Sequence, residues 1–195
     1  MEAASNDDAI ISLFQEVLRN ERPFSSNWLD FTYLYDYAYE LREPTSIAIF
    51  DMNGDGTLEM IVNFHYTIKL VLHYYDGKIH GSEFGIRSMN VINTDGTFFV
   101  SYGIWGFGIG ELIIEEGETR ILVMHDVDSW AGRENPYELQ FYIDGELVSE
   151  EEFDARRALL LEHFDEKEAI TWHPFTDENI ENLANLVTHR YTPNN

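Results

Sequence analysis

The chain has 195 residues, is 44% hydrophobic and 14% aromatic, and contains five prolines, so it can bury a core and is not disordered. Its 36 acidic residues against 12 basic ones give a formal charge of −24 at pH 7, which repels phosphate backbones and excludes nucleic acid and anionic membranes as partners. With no cysteine, disulfides, thiolate metal sites and a cysteine nucleophile are excluded as well.

Residues 6 to 20, NDDAIISLFQEVLRN, predict a helix capped by Asn6 or Asp7, with Ile10, Leu13, Phe14 and Leu18 recurring at helical spacing. NWLDFTYLYDYAYELRE, 27 to 43, predicts a second helix that Pro44 closes, although its aromatic density would also suit a strand. From 46 the apolar period changes to two. SIAIF, EMIVNF, IKLVLHYY, FFVSY, ELIIEE and TRILVMHDV are β-branched and aromatic runs separated by DMNGDG, YDGK, NTDG and EEGET. Asp-Gly turns in YYDGK and INTDGT predict antiparallel hairpins, and ELQFYIDGELV (138 to 148) predicts another. Ser149 with Glu152 forms a capping box that opens a helix to about 164, and Thr176 caps a last helix over 176 to 190. The expected fold is one α+β domain: a helical part over 1–45, a twisted antiparallel meander over 46–148, and helices over 149–195 packed on the sheet.

No run of 18 apolar residues occurs, so no transmembrane helix is expected. The opening MEAASNDDA has neither a basic nor an apolar signal region. It is read as following a removed signal or lipid anchor, in a secreted or cell-surface protein, with a cytoplasmic protein as the alternative.

FDMNGDGTLEMIV carries the chemistry. Calcium takes six to eight hard oxygen ligands, and a short loop supplies them from alternate positions when glycine allows the bend. Asp51, Asn53 and Asp55 stand at positions 1, 3 and 5, Gly56 at 6, the Thr57 carbonyl at 7 and Glu59 at 9. The EF-hand's glutamate at position 12 is replaced by Val62, and the flanks are strand-like, so the motif joins two strands rather than two helices. Calcium is therefore the expected cofactor, in a structural role, held by Asp51, Asn53, Asp55, Thr57 and Glu59. A solvated turn is the plain alternative, since Asn-Gly and Asp-Gly are favoured turn pairs.

Such a loop is similar to the calcium loops of FG-GAP and integrin-type propeller blades. More widely, IAIFDMNGDGTLEMIV resembles the D-x-D-G-D-G-x-x-E-L stretch of uncharacterised secreted proteins and lipoproteins of clostridia and related gut bacteria. YYDGK, FYIDGELVSEEEF and TWHPFTDENI fit the same group, so the resemblance spans about 46 to 182. It implies an extracytoplasmic location and a metal, and no particular activity. Asn53 departs from the usual Asp and lowers the ligand charge from −4 to −3.

Other constellations are weaker. MHDVDSW places His125 near Asp126 and Asp128, which with His65 or His73 could bind a transition metal; a strand end entering an acidic loop is the simpler reading. YGIWGFGIGE interleaves glycines with Trp105 and Phe107, as core aromatics or as a stacking platform for a protein or glycan partner. Tyr33, Tyr35, Tyr37 and Tyr39 cannot share one helix face, and the Trp172–His173 pair reads as a linker cap. Nucleophile, P-loop and dinucleotide motifs are absent. The expected function is a non-enzymatic extracytoplasmic domain, stabilised by calcium, that binds a protein or glycan. The alternatives are a hydrolase with an unlocated carboxylate pair and an acidic cytoplasmic inhibitor or immunity-type protein.

Overall fold

Two stacked sheets, where one meander was expected, take up the strand-forming runs. The computed structural model describes residues 6–26, 32–36, 43–64, 68–85, 88–101, 106–115, 117–131, 139–165 and 168–188. Helix α1 (Asn6–Leu18) precedes β1 (Ser25–Ser26), and then β2 (Pro44–Phe50), β3 (Glu59–Phe64), β4 (Ile68–Tyr75) and β5 (Lys78–Phe84) follow. These form a six-stranded sheet in the order β1-β5-β4-β3-β2-β11, with β11 at His173–Pro174. β2 to β5 are antiparallel neighbours, while β1 runs parallel to β5, so the sheet is mixed. The second sheet contains β6 (Phe98–Ser101), β7 (Gly106–Glu115), β8 (Glu118–Ala131), β9 (Leu139–Ile143) and β10 (Glu146–Val148), each antiparallel to the next. Helix α2 (Glu150–Asp165), helix α3 (Asp177–Glu181) and a 3-10 turn (Leu183–Leu186) complete an α+β fold.

Turn chemistry sets the register. Asp76 (φ 46°) with Gly77 (φ 79°), and Asp144 (φ 49°) with Gly145 (φ 81°), place both central residues of a two-residue hairpin in the left-handed region, as a type I′ turn requires. INTDGT also turns, with Gly96 N–H donating to Asn93 O at 3.0 Å, but the Ile92–Phe98 pair that flanks it is an isolated bridge and no strand precedes it in the second sheet. The chain changes sheet there, and the single meander is interrupted.

Three apolar clusters stack through the fold. α1, α3 and the 3-10 turn cover one face of the first sheet through Ile10, Phe14, Leu18, Ile180 and Leu183 on Ile47, Met60, Val62 and Leu70. Its other face, with Phe50, Ile61 and Val71, packs on Phe98, Val100 and Leu112 of the second sheet. α2 closes the outer side with Phe153 and Leu160 against Phe107 and Ile109. Alternation along β7 turns Gly106, Gly108 and Gly110 towards the first sheet. A Cβ on Gly110 would stand 2.9 Å from the Phe98 ring of the adjacent strand, so glycine there leaves room for that ring to lie over β7.

The caps expected at Ser149 and Thr176 are present, whereas Asn6, a candidate cap of α1, is already its first helical residue. Ser149 and Glu152 bond reciprocally at 3.0 and 3.3 Å, and Asn179 N–H donates to Thr176 Oγ1 at 3.2 Å. The last helix is shorter than expected, ending at Glu181. Trp172–His173 is not a linker cap: His173 pairs with Ile47 at the edge of the first sheet, and Trp172 packs into the inter-sheet core. Of the expected helix over 27–43, residues 34–36 are helical and most of the rest lies outside the described residues. Among the described residues no helix is long and apolar enough to cross a membrane.

Candidate metal centre in the loop between β2 and β3

The DMNGDG segment joins adjacent antiparallel strands, Phe50 pairing with Glu59 at its base. Asp51 ties the loop together: its Oδ1 accepts from Gly54 N at 2.6 Å and its Oδ2 from Gly56 N at 3.0 Å. The chain wraps a single carboxylate by turning through Gly54 (φ 79°) and Gly56 (φ 87°), a conformation costly for any residue with a Cβ. Asn53 Oδ1 accepts from Asp55 N at 3.1 Å, and Asn53 Nδ2 donates to Asp55 Oδ2 at 2.9 Å. Asp55 Oδ1 accepts from Thr57 N at 2.7 Å. Asn53, Asp55 and Thr57 reach the surface, whereas Glu59, the first residue of β3, is only 1% exposed.

Glu59 is the unusual member. Its Oε2 accepts from Met52 N at 2.7 Å. Burial, together with the negative charges of Asp55 and Asp51, pushes its carboxyl from the ordinary 4.5 up to about 8, although the Met52 and Asn53 amides favour the charged form. Among the described residues no salt bridge reaches Glu59, so burial and these negative charges favour its neutral form.

A hard divalent ion fits this chemistry. All the candidate donors are oxygens, both aspartates are held by the loop's own amides, and an added positive charge would let Glu59 ionise. Among the described residues no three His, Asp or Glu side chains stand together as a ready cage, since the loop's backbone amides hold the carboxylates instead.

Beside the loop lies a feature that motif reading missed. One register step beyond the Met60–Leu72 pair puts Glu59 alongside His73, and His73 pairs with His80 on the next strand. His73 is 1% exposed, and its ring stacks on His80 at 5.5 Å. Its Nε2 meets Gly117 O at 3.1 Å and its Nδ1 meets Thr119 Oγ1 at 3.4 Å, so the β7–β8 turn of the second sheet latches onto the first. Burial, then repulsion from His80, lowers His73 from 6.5 to about 4 and keeps it neutral. A cavity of about 620 Å³ opens beside this turn, lined by Glu115, Glu118, Thr119 and Arg120.

The other expected sites fare differently. Phe107 is buried and stacks on Phe99 at 4.8 Å, so its ring is core and not an exposed platform. Trp105, Tyr37, Tyr39 and His65 lie outside the described residues. Tyr33 and Tyr35 are exposed. His125, Asp126 and Asp128 lie on β8 of the second sheet, with side chains outside the described residues, and His73 lies on β4 of the first. Comparison with protein-family models, curated proteins and solved structures returned no match.

Proposed function

We propose that this chain is a non-enzymatic, extracytoplasmic bacterial binding domain whose β2–β3 loop holds a structural calcium ion through Asp51, Asn53, Asp55, the Thr57 carbonyl and Glu59. The observation that carries this reading is Glu59: a carboxyl 1% exposed whose burial, with the charges of Asp55 and Asp51, raises its pKa to about 8, so that a cation at the loop would favour its ionised form. Calcium would supply the missing charge and pin the hairpin at the end of the sheet where the His73 latch joins the second layer. Millimolar calcium outside the cytoplasm suits a site with only three charged ligands, which favours a secreted or cell-surface location. The strongly negative surface suits a basic protein or neutral glycan partner.

Thermal melts in chelator and in millimolar calcium test the metal assignment. Calcium should raise the melting temperature of the wild type, and Asp51→Ala should melt at one temperature in both. Identical wild-type melts with and without calcium would remove the assignment.

A further inference from the structure

Asn53–Gly54 is the one Asn-Gly pair in the chain. Glycine sets no Cβ between its backbone nitrogen and the side-chain carbonyl of the residue before it, so the two can meet. Three hydrogen bonds in the loop bear on that encounter. Gly54 N–H points at Asp51 Oδ1, 2.6 Å away, which puts a carboxylate on the proton the nitrogen must shed to attack. Asp55 N–H donates to Asn53 Oδ1 at 3.1 Å, on the oxygen where charge develops when the carbonyl carbon is attacked. Asn53 Nδ2 donates to Asp55 Oδ2 at 2.9 Å, which orients the departing amide nitrogen. Gly54 is exposed and Asn53 half-buried, so water reaches the pair.

We propose that Asn53 is a self-modification site: the Gly54 backbone nitrogen attacks Asn53 Cγ with Asp51 as the base, and the asparagine becomes an acidic residue. The new N–Cγ bond closes a five-membered imide. Asp51 takes the proton from Gly54 N and returns it to solvent, a proton from solvent reaches the side-chain nitrogen, the Cγ–Nδ2 bond breaks, and ammonia departs. Water then adds to the ring. Opening at the Cγ–N bond leaves an aspartate in the normal backbone, and opening at the backbone carbonyl leaves an isoaspartyl linkage. One water enters, one ammonia leaves, and no oxidation state changes. The product has one more negative charge at position 3 of the loop. Its effect on calcium affinity rests on the reading above; the conversion itself does not, and it proceeds without metal.

The full chain is incubated in chelator at neutral pH and physiological temperature, folded in buffer and unfolded in guanidinium, then digested with trypsin and sequenced by mass spectrometry. The peptide spanning 43–69 contains both Asn53 and Asn63, so Asn63, followed by bulky Phe64, is an internal control. The expected result is conversion at Asn53 about tenfold or more faster in the folded chain than in the unfolded one, below the full effect of a positioned base, with Asn63 unchanged. Asp51→Asn, with its fold checked by circular dichroism, should slow the folded rate to the unfolded one. A folded rate at or below the unfolded rate overturns the proposal, as does a folded Asp51→Asn variant that converts as fast as the wild type. If that variant does not fold, the wild-type comparison decides.

Discussion

Replacing Glu59 with glutamine tests the electrostatics of the loop without changing its shape. The amide oxygen still accepts from Met52 N, and only the ionisable proton is lost. In the native chain the carboxyl keeps its proton up to about pH 8, whereas in the unfolded chain it releases it near 4.5. Between those values the unfolded state binds fewer protons, so metal-free stability falls as pH rises from 4.5 to 8. At about 1.4 kcal/mol per pH unit the full loss comes to about 5 kcal/mol, an upper figure for a site that relaxes. Glu59→Gln escapes this loss. Calorimetry in chelator should show variant and wild type melting together near pH 5 and the variant melting at least about 5 °C higher at pH 9, given about 2–4 °C per kcal/mol for a chain of this size. Calcium should then raise the wild type at pH 9 and leave the variant unmoved. A variant no more stable than the wild type at pH 9 in chelator would refute the claim that Glu59 is an uncompensated buried carboxyl.

His73 predicts the opposite slope. Its pKa falls from 6.5 to about 4 on folding, so the unfolded chain binds the extra proton between those values and stability is lost as pH falls through that window, by up to about 3 kcal/mol. Denaturant titrations in the Glu59→Gln background isolate this slope, and adding His73→Gln should flatten it. Phe107→Ala removes a core ring packed on Phe99 and should lower stability by about 3–5 kcal/mol in the same titrations, as a cavity in the α2-facing layer would.

The strands were legible because their signals are local. EMIVNF and IKLVLHYY occupy β3 and β4 with the bounds their apolar runs suggest, and the Asp76–Gly77 and Asp144–Gly145 turns are written in dipeptides. Ser149 and Thr176 could be read for the same reason, since a cap needs only residues three apart. The division into two sheets was not legible. It depends on where the chain leaves one hydrogen-bonded edge for another, and the segment before β6 bonds back to Phe99 through Asn90 and Val91 rather than extending β5. The glycines of YGIWGFGIGE were seen as odd, but their purpose lies in Phe98 and Val100 on a neighbouring strand.

The loop's oxygen spacing could be read directly, yet the burial of Glu59 could not, because Met52, whose amide holds it, is itself packed into the inter-sheet core. The His73–His80 pair could have been found. A two-residue turn at Asp76–Gly77 forces residues 73 and 80 opposite one another. Its latch to Gly117 could not, because nothing local ties the two sheets together.

The most direct measurement is a crystal structure of the protein grown in millimolar calcium. The account predicts an ion at the β2–β3 loop with protein oxygens from Asp51, Asn53, Asp55, Thr57 and Glu59 at roughly 2.3–2.6 Å. A well-ordered loop whose carboxylates still accept only from its own backbone amides, with Glu59 bonded to Met52 alone and no ion density, would contradict it.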